Sequence, residues 1–124
     1  MSDRGPSNFC KGIKNDFWLM GEVVHGDYRD WVAEGRLDSA TNYQIYKALW
    51  SSLNDQNLFE LSYNLNREPD SGEGMYKNIS LYNFVDNHDV NRAGSSLSVP
   101  SRHLPLLYAL LFTIPGIPSI RRLH

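Results

Sequence analysis

Cysteine is nearly absent from this sequence. Cys10 is the single cysteine among 124 residues, so no disulfide can form within the chain, which fits a reducing compartment. We also expect no export signal in this chain, because residues 1–7 are polar and no apolar core follows a basic start. On this chain alone we expect a cytoplasmic protein in which Cys10 packs within a helix.

Long hydrophobic runs and an excess of one charge are also missing. Residues 104–120 carry no charge, but a membrane span needs ~20 apolar residues, and Pro105, Pro115, Gly116 and Pro118 interrupt this shorter stretch. The 12 basic and 14 acidic residues leave a net charge of -2, so no basic surface indicates a nucleic acid or a membrane. We predict neither as a partner.

Signatures of several common chemistries do not occur in the sequence. There is no second cysteine, no Gly-x-Ser-x-Gly nucleophile motif and no phosphate-binding glycine loop. The histidines are spaced too irregularly for a recognisable metal-binding set, so we predict no metal site. They are His25, His88, His103 and His124.

The most informative stretch runs from Leu81 to Arg92. In it, an apolar, strand-like run ends abruptly in Asn87, His88 and Asp89. Strands buried on both faces of a parallel sheet read as continuous apolar runs, and in a (β/α)8 barrel the chemistry lies at their carboxyl ends. An acid, an imidazole and an amide at this position indicate a functional site.

A second candidate site residue is Glu22, in an apolar run from Phe17 to Val24. Alternation places Glu22 on one strand face with Trp18, Met20 and Val24. Apolar neighbours desolvate a carboxylate and favour its protonated form, which a general acid needs at neutral pH. The alternative is a glutamate that simply reaches solvent at the end of a strand.

Hydrophobic periodicity and turn residues indicate the remaining elements. Thr41 fits the N-cap of a helix in which Ile45, Leu49 and Leu53 recur on one face. Residues 93–101 read as a loop of small side chains, and the helix after it is predicted to be buried. The pattern predicts helices over 8–14, 42–53, 56–66 and 102–113, a short helical stretch over 28–32, and strands over 17–24, 37–40, 81–86 and 117–120.

Three stretches resemble motifs of the α-amylase family of glycoside hydrolases. Phe84–Asp89 fits the Phe-Val-x-Asn-His-Asp signature near the family's seventh barrel strand. Trp18–Gly26 resembles the fifth-strand motif, and Leu110–Ser119 is similar to the segment that leads into the eighth strand. Their order and spacing also agree with the family.

The resemblance implies an α/β fold, namely part of a TIM (β/α)8 barrel with roughly strands five to eight and their intervening helices. A complete barrel needs ~250 residues, so this chain holds about half of one. The partial barrel covers residues 8–120, preceded by a disordered lead-in, 1–7, and followed by an unmatched tail, 121–124. The tail replaces the tyrosines, glycine and acid with which the family usually continues, which looks like truncation or a shifted reading frame.

The same resemblance implies roles for individual residues. Glu22 matches the general acid/base, and Asp89 matches the acid that orients sugar hydroxyls and stabilises the transition state. His88 would hydrogen-bond a sugar hydroxyl beside Asp89, and the substrate-binding set also includes His25 and Arg92. Arg92 occupies the position of an arginine that supports the site as an ion-pair partner; a solvated surface arginine is the alternative.

Strict strand alternation would point His88 and Asp89 in opposite directions. Both can face a substrate only if the chain curls at the end of the strand. We predict that Asn87, the remaining member of the substrate-binding set, holds that turn.

The third acid of the family, the nucleophile, is not matched. It belongs to a fourth-strand motif with an arginine two residues before it, and nothing from Met1 to Asn15 supplies this pattern. We therefore predict a fragment of a retaining hydrolase of α-glucans that is inactive alone. The alternative is a noncatalytic module, derived from the same fold, that binds carbohydrate or assembles with a partner.

No cofactor is predicted, since the calcium ion that often accompanies the family is usually held by a region absent here. The expected ligand is an α-linked oligosaccharide or polysaccharide. A half barrel also leaves strand edges and apolar faces uncovered, which favours self-association through the barrel edges.

Overall fold

The computed structural model describes residues 6–66, 76 and 78–122, which form an α/β structure. Residues 1–5 of the expected lead-in and 123–124 of the tail lie outside this described part. The helices are α1 (Pro6–Ile13), α2 (Tyr43–Asn54), α3 (Phe59–Asn66), α4 (Ala93–Ser96) and α5 (Pro100–Thr113). The strands are β1 (Met20–Gly21), β2 (Ser39–Ala40), β3 (Tyr82–Phe84) and β4 (Ile117–Ser119), and a 3₁₀ turn spans Tyr28–Asp30.

The strands of the described part are parallel and lie side by side in chain order. β1 pairs with β2, with Met20 opposite Ser39, and β3 pairs with β4, with Tyr82 opposite Ile117. A parallel bridge between Thr41 and Tyr82 joins the two pairs. Helices α2 and α3 connect β2 to β3, and α4 and α5 connect β3 to β4. Successive strands of a (β/α)8 barrel are arranged in this way.

The strands are shorter than the sequence predicts. Within the first predicted strand only Met20–Gly21 pairs. The Leu19 amide instead donates to the Asp38 carboxylate across 2.8 Å, and the Phe17 amide closes a turn onto the Lys14 carbonyl at 3.0 Å. The Asp38 side chain and the turn at Lys14 thus accept hydrogen bonds from the Leu19 and Phe17 amides, which a longer strand would have paired with β2.

Helix α2 supplies the centre of the main core. Its buried residues face α3 and α5, so this one helix holds both crossover connections together. Complete burial of a leucine or isoleucine side chain contributes roughly 1.5–3 kcal/mol. The core cluster contains Ile45, Ala48, Leu49 and Leu53 of α2 together with Leu61, Val85, Ala93, Leu97, Leu107 and Leu111.

The N-cap of α2 is Asn42 rather than the predicted Thr41. The Asn42 side chain accepts a hydrogen bond from the Ile45 amide at 3.1 Å, which satisfies one of the free amides of the first turn. Thr41 still belongs to the sheet, where its hydroxyl accepts from the Val23 amide at 2.9 Å. The prediction was wrong by one position, because this long-range contact occupies the threonine hydroxyl.

Helix α3 begins at Phe59 and not at the predicted Gln56. Gln56 has a φ of 52°, in the left-handed region that commonly terminates helices, so it belongs to the end of α2. The Asn57 side chain then accepts from the Phe59 amide at 2.9 Å. Leu58, which lies within the predicted helix over 56–66, precedes the observed helix and is 54% exposed.

Helix α4 lies in a segment that the sequence predicts as a loop. The amide of Ala93 donates to the Asp86 carboxylate at 2.9 Å. A buried carboxylate from the end of β3 therefore fixes the first turn of α4. Small side chains alone indicated a loop, because this contact is not visible in the local pattern.

Helix α5 is buried on one face only. Its buried residues are His103, Leu107 and Leu111, whereas Leu106 is 50% exposed. The prediction of a buried helix was therefore wrong for its outer face. No helix within residues 6–66, 76 and 78–122 is long and apolar enough to cross a membrane.

Candidate active site at the carboxyl ends of the strands

Glu22 and the Asn87–Asp89 segment meet at one edge of the sheet. Glu22 directly follows β1, and the segment follows β3. Since all strands are parallel, their carboxyl ends lie on the same side. The side-chain ligand atoms of Glu22, His88 and Asp89 all lie within 4.8 Å of one another. The structure thus brings together the two predicted acids and the predicted imidazole.

The chain turns immediately before Asp89, and Asn87 holds the turn. The Asn87 side-chain oxygen accepts a hydrogen bond from the Asp89 amide at 2.9 Å. The strand itself ends at Phe84, so alternation no longer separates His88 from Asp89. Their side chains approach to 3.2 Å between the His88 Nε2 and the Asp89 Oδ2. The predicted role of Asn87 in this turn is confirmed.

Tyr43, which was not predicted as a site residue, hydrogen-bonds both to Glu22 after β1 and to Asn87 after β3. Its hydroxyl donates to the Glu22 Oε1 at 2.8 Å and accepts from the Asn87 Nδ2 at 2.9 Å. The ring packs edge-on against Phe84, with centroids 4.9 Å apart. Tyr43 opens α2 just beyond β2, so the strand-end rule applied to β2 would have pointed to it.

The pKa of Tyr43 is raised above its ordinary value, chiefly by burial. The hydrogen bond from Asn87 acts in the opposite direction, whereas the hydrogen bond to Glu22 and the charges of Glu22 and Asp89 raise the pKa further. A phenol is already protonated at neutral pH, and the raised pKa extends its protonated range to higher pH. Tyr43 therefore remains a hydrogen-bond donor to Glu22.

Asp86 and Arg92, which flank the Asn87–Asp89 segment in the chain, form an ion pair with each other. Asp86 is buried, its Oδ2 accepts from the Ala93 amide, and the Arg92 Nε lies 3.5 Å from the same oxygen. The ion pair of Arg92 within the described part is with Asp86 and not with Asp89. Asp86 occupies the variable position of the Phe-Val-x-Asn-His-Asp pattern, which is why the motif gave no sign of its importance.

His25 is not brought into the cluster. It is exposed in the segment after β1, and within the described ranges it has no hydrogen bond or ion pair with Glu22, His88 or Asp89. Arg121, from the tail, does reach the site. Its guanidinium donates to the Asn87 carbonyl at 2.8 Å, so the turn after β3 is held from two sides.

The cluster is open to solvent. Glu22 is exposed, and the apolar residues expected to desolvate it, Trp18, Met20 and Val24, are themselves 47%, 38% and 46% exposed. The predicted desolvation of Glu22 by that strand face was therefore wrong for this chain. Alternation identifies which residues share a face, but not whether another element covers it.

Two carboxylates and an imidazole are also a donor set suited to a divalent cation. Within the described residues, Glu22, His88 and Asp89 form the one group of such side chains close enough together to hold an ion. We assign no metal to them, since all three are exposed and one Glu22 oxygen already accepts from Tyr43. Their hydrogen-bonding groups equally suit the hydroxyls of a sugar.

Comparison with known sequences identifies a family. The model of the family described as alpha amylase, catalytic domain, matches residues 4–122 of this chain. No curated protein sequence matches it.

Solved structures share the fold. Ligand-free cyclic α-maltosyl-(1→6)-maltose hydrolase from Arthrobacter globiformis has a TM-score of 0.67 and 21% identity, covering 89% of this chain and 25% of that chain. The native debranching enzyme of Nostoc punctiforme gives 0.63 and 21%, covering 89% and 26%. Maltogenic amylase from S. marinus gives 0.63 and 29%, covering 92% and 16%. The chain thus spans about a quarter or less of the length of these relatives.

Proposed function

Since the chain belongs to the alpha-amylase catalytic-domain family of glycoside hydrolases, we propose that it is part of a retaining hydrolase that acts on α-linked glucans. Its relatives of known structure include a hydrolase and an amylase named for maltose. The expected ligand is therefore an α-linked oligosaccharide or polysaccharide.

We further propose that β1 to β4 correspond to the fifth to eighth strands of the barrel. The parallel pairing in chain order supports this correspondence. The two motif-bearing segments support it as well, because Glu22 follows β1 and Asp89 follows β3. One strand, β2, lies between them, as the fifth and seventh strands would require.

Glu22 is the proposed general acid/base. In a retaining mechanism this carboxyl group protonates the leaving glycosidic oxygen and later deprotonates the attacking water. Asp89 is the proposed acid that holds sugar hydroxyls and stabilises the cationic transition state, with the imidazole of His88 beside it. The observation that carries the proposal is the approach of these three side chains, from two different strands, to within 4.8 Å.

The nucleophile is the missing part. The residues ahead of β1 contain no arginine two positions before an acid, and a retaining enzyme forms its covalent intermediate on that acid. We therefore expect the 124-residue polypeptide to be inactive on maltodextrin, even at high enzyme concentration. Turnover that Glu22→Gln abolishes would overturn this expectation.

A chimera tests the proposed function directly. Residues 4–122 would replace the structurally matched segment of the S. marinus maltogenic amylase, which supplies the remaining strands. We expect hydrolysis of maltodextrin and a loss of about 10²–10⁴-fold in kcat for Glu22→Gln, the usual contribution of a general acid/base. Glu34→Gln, at an exposed glutamate before β2, is the control. Equal activity of the Glu22 and Glu34 variants would contradict the proposal.

A noncatalytic carbohydrate-binding module is the second candidate. The exposure of Glu22, His88 and Asp89 favours it, because the cluster can meet a sugar without closure of a full barrel. An NMR titration of the chain with maltooligosaccharide, together with the activity of the chimera, separates the two candidates. Specific chemical-shift changes of the Asn87–Asp89 amides in the chain would show that it binds the sugar. If the chimera is also inactive, the module is favoured.

A further inference from the structure

We propose that Tyr43 is a positioning residue, which holds the Glu22 carboxylate against the turn formed by Asn87 and Asp89. This inference rests on the acid/base role proposed above for Glu22. It adds a phenol, supplied by the helix after the neighbouring strand, on which that role depends. Sequence motifs drew attention to β1 and β3 but not to the element between them.

The direction of each hydrogen bond follows from elementary donor and acceptor rules. The Asp89 amide can only donate, so the atom of Asn87 that faces it must be the side-chain oxygen. The Asn87 NH₂ group therefore faces Tyr43 and donates to its hydroxyl oxygen. The phenolic hydrogen is then free for Glu22, which as a carboxylate can only accept. Asn87 thus donates to Tyr43, and Tyr43 donates to Glu22, so that one continuous hydrogen-bonded chain ends on the Glu22 carboxylate.

The phenol is held more firmly than the carboxylate it contacts. The Tyr43 ring packs against Phe84 and against Tyr46, with centroids 4.9 and 6.2 Å away. Tyr43 also lies directly after the buried N-cap residue Asn42. Glu22, in contrast, is exposed and follows a strand of only two residues.

Glu22 has no other hydrogen bond to constrain it within the described part of the chain. A hydrogen bond between a donor and an ionised carboxylate is stronger than one between neutral groups. The Tyr43 hydroxyl therefore determines the direction in which the Glu22 carboxylate points. Removing that hydroxyl should leave the backbone of Glu22 where it is, but its carboxylate should no longer have a fixed orientation.

The pKa of Tyr43 reports on its contacts with Glu22, Asp89 and Asn87, because each of these residues shifts it. Glu22 faces the phenol from the end of β1, Asp89 faces it from the turn after β3, and the neutral amide of Asn87 donates to it. The guanidinium of Arg121 lies on the carbonyl side of Asn87. Among these, the acids raise the pKa of Tyr43 and the Asn87 hydrogen bond lowers it. Removing an acid and removing the amide should thus have opposite effects.

The first experiment is an NMR titration of the chain labelled at the tyrosine ring carbon that bears the hydroxyl. The chain has 7 tyrosines, and Tyr43→Phe assigns the resonance by its disappearance. We expect Glu22→Gln to lower the pKa of Tyr43, Asn87→Ala to raise it, and Glu34→Gln to leave it unchanged. An unchanged pKa in Glu22→Gln would overturn the proposal. If Asn87→Ala does not fold, the sign of the Glu22→Gln shift decides alone.

The second experiment measures catalysis in the chimera described above. Tyr43→Phe should reduce kcat by about ten-fold or more while KM changes little, because a hydrogen bond to a charged group is worth roughly that factor. Tyr63→Phe, which removes a hydroxyl from an exposed ring on α3, is the matched control.

The two proposals fail in distinguishable ways. If Glu22→Gln inactivates the chimera but Tyr43→Phe leaves kcat unchanged, the positioning role is overturned and the proposed function stands. If Glu22→Gln leaves the chimera fully active, the proposed function fails and the role of Tyr43 fails with it.

Discussion

The buried side chains of Asn42 and Asn83 hydrogen-bond each other, with 3.0 Å between the Asn42 Nδ2 and the Asn83 Oδ1. Asn42 also caps α2, and the Asn83 Nδ2 donates to the Pro115 carbonyl at 2.8 Å. This pair joins the end of β2, strand β3 and the turn before β4. Buried amides with satisfied partners thus fix the spacing of the strands that carry the site.

Asn42→Ala should destabilise the fold. The substitution removes the cap of α2 and leaves the buried Asn83 oxygen without its donor, for an expected loss of about 2–4 kcal/mol. Urea denaturation followed by circular dichroism measures it. Asn66→Ala, at an exposed asparagine at the end of α3, is the control and should change stability little. Equal effects of the two substitutions would contradict the proposed importance of the buried pair.

Gly116→Ala should also be strongly destabilising. Gly116 has a φ of 123°, which side chains rarely adopt, and an added methyl would clash with the Asn83 amide and lie 2.7 Å from the Leu81 carbonyl oxygen. Gly12→Ala is the matched control, because an added methyl there meets nothing within 4 Å and alanine favours a helix. We expect a lower thermal midpoint for Gly116→Ala and an equal or higher one for Gly12→Ala. The reverse order would refute the described turn between α5 and β4.

Asp38 should make the stability of the fold pH-dependent. The hydrogen bond from the Leu19 amide lowers the pKa of Asp38, as do the hydrogen bond and charge of Lys11, against the opposing effect of burial. A carboxyl whose pKa is lower in the folded state stabilises the fold above its ordinary pKa, and this contribution is lost as the pH falls through the lowered value. Asp38→Asn should therefore be less stable than the parent at neutral pH.

The difference between Asp38→Asn and the parent chain should shrink as the solution is acidified through the range in which Asp38 becomes protonated. Denaturation curves at a series of pH values measure this difference. Asp55→Asn, at an exposed aspartate after α2, should show no such dependence. A constant difference for Asp38→Asn at every pH would exclude the ionised carboxylate as the cause.

The uncovered edges of the sheet should lead to self-association. Within the described ranges β1 and β4 each have one strand neighbour, and Trp18 and Ile120 beside them are 47% and 55% exposed. Unpaired strand edges and exposed apolar side chains promote association. We expect light scattering to detect concentration-dependent oligomers that Trp18→Lys and Ile120→Lys reduce.

Phe59→Lys is the control for this association, since Phe59 is 73% exposed but lies on α3, away from both edges. It should leave the oligomers unchanged. A compact monomer at every concentration, with cooperative unfolding, would contradict association through the edges.

Much of the site was predictable from the sequence, because the family motifs mark Glu22 within one apolar run and the Asn87–Asp89 segment at the end of another. Parallel strands then bring such ends together without any further information. The contacts that complete the site were not predictable in this way. Tyr43 lies at the start of a helix, and its link to Glu22 depends on the exact pairing of β1 with β2.

Contacts that the local sequence pattern does not include also explain the wrong predictions of secondary structure. The N-cap of α2 moved to Asn42 because the Thr41 hydroxyl contacts Val23, and α4 formed because Asp86 reaches the Ala93 amide. The first contact joins residues 18 positions apart and the second joins residues 7 positions apart. Periodicity and capping preferences describe neighbours along the chain, so they could not include them.

Paired cysteines would measure whether Glu22 and Asp89 lie side by side at one edge of the sheet. Glu22→Cys with Asp89→Cys, in a Cys10→Ser background, would be treated at high dilution with a short bifunctional thiol reagent. Glu34→Cys with Asp89→Cys is the control pair, because Glu34 precedes β2 and so lies toward the opposite edge. We expect rapid bridging within one monomer for the first pair and little for the control. Equal bridging rates for both pairs would show that Glu22 and Asp89 are not neighbours. So would a product in which each cysteine of the first pair carries its own unbridged reagent.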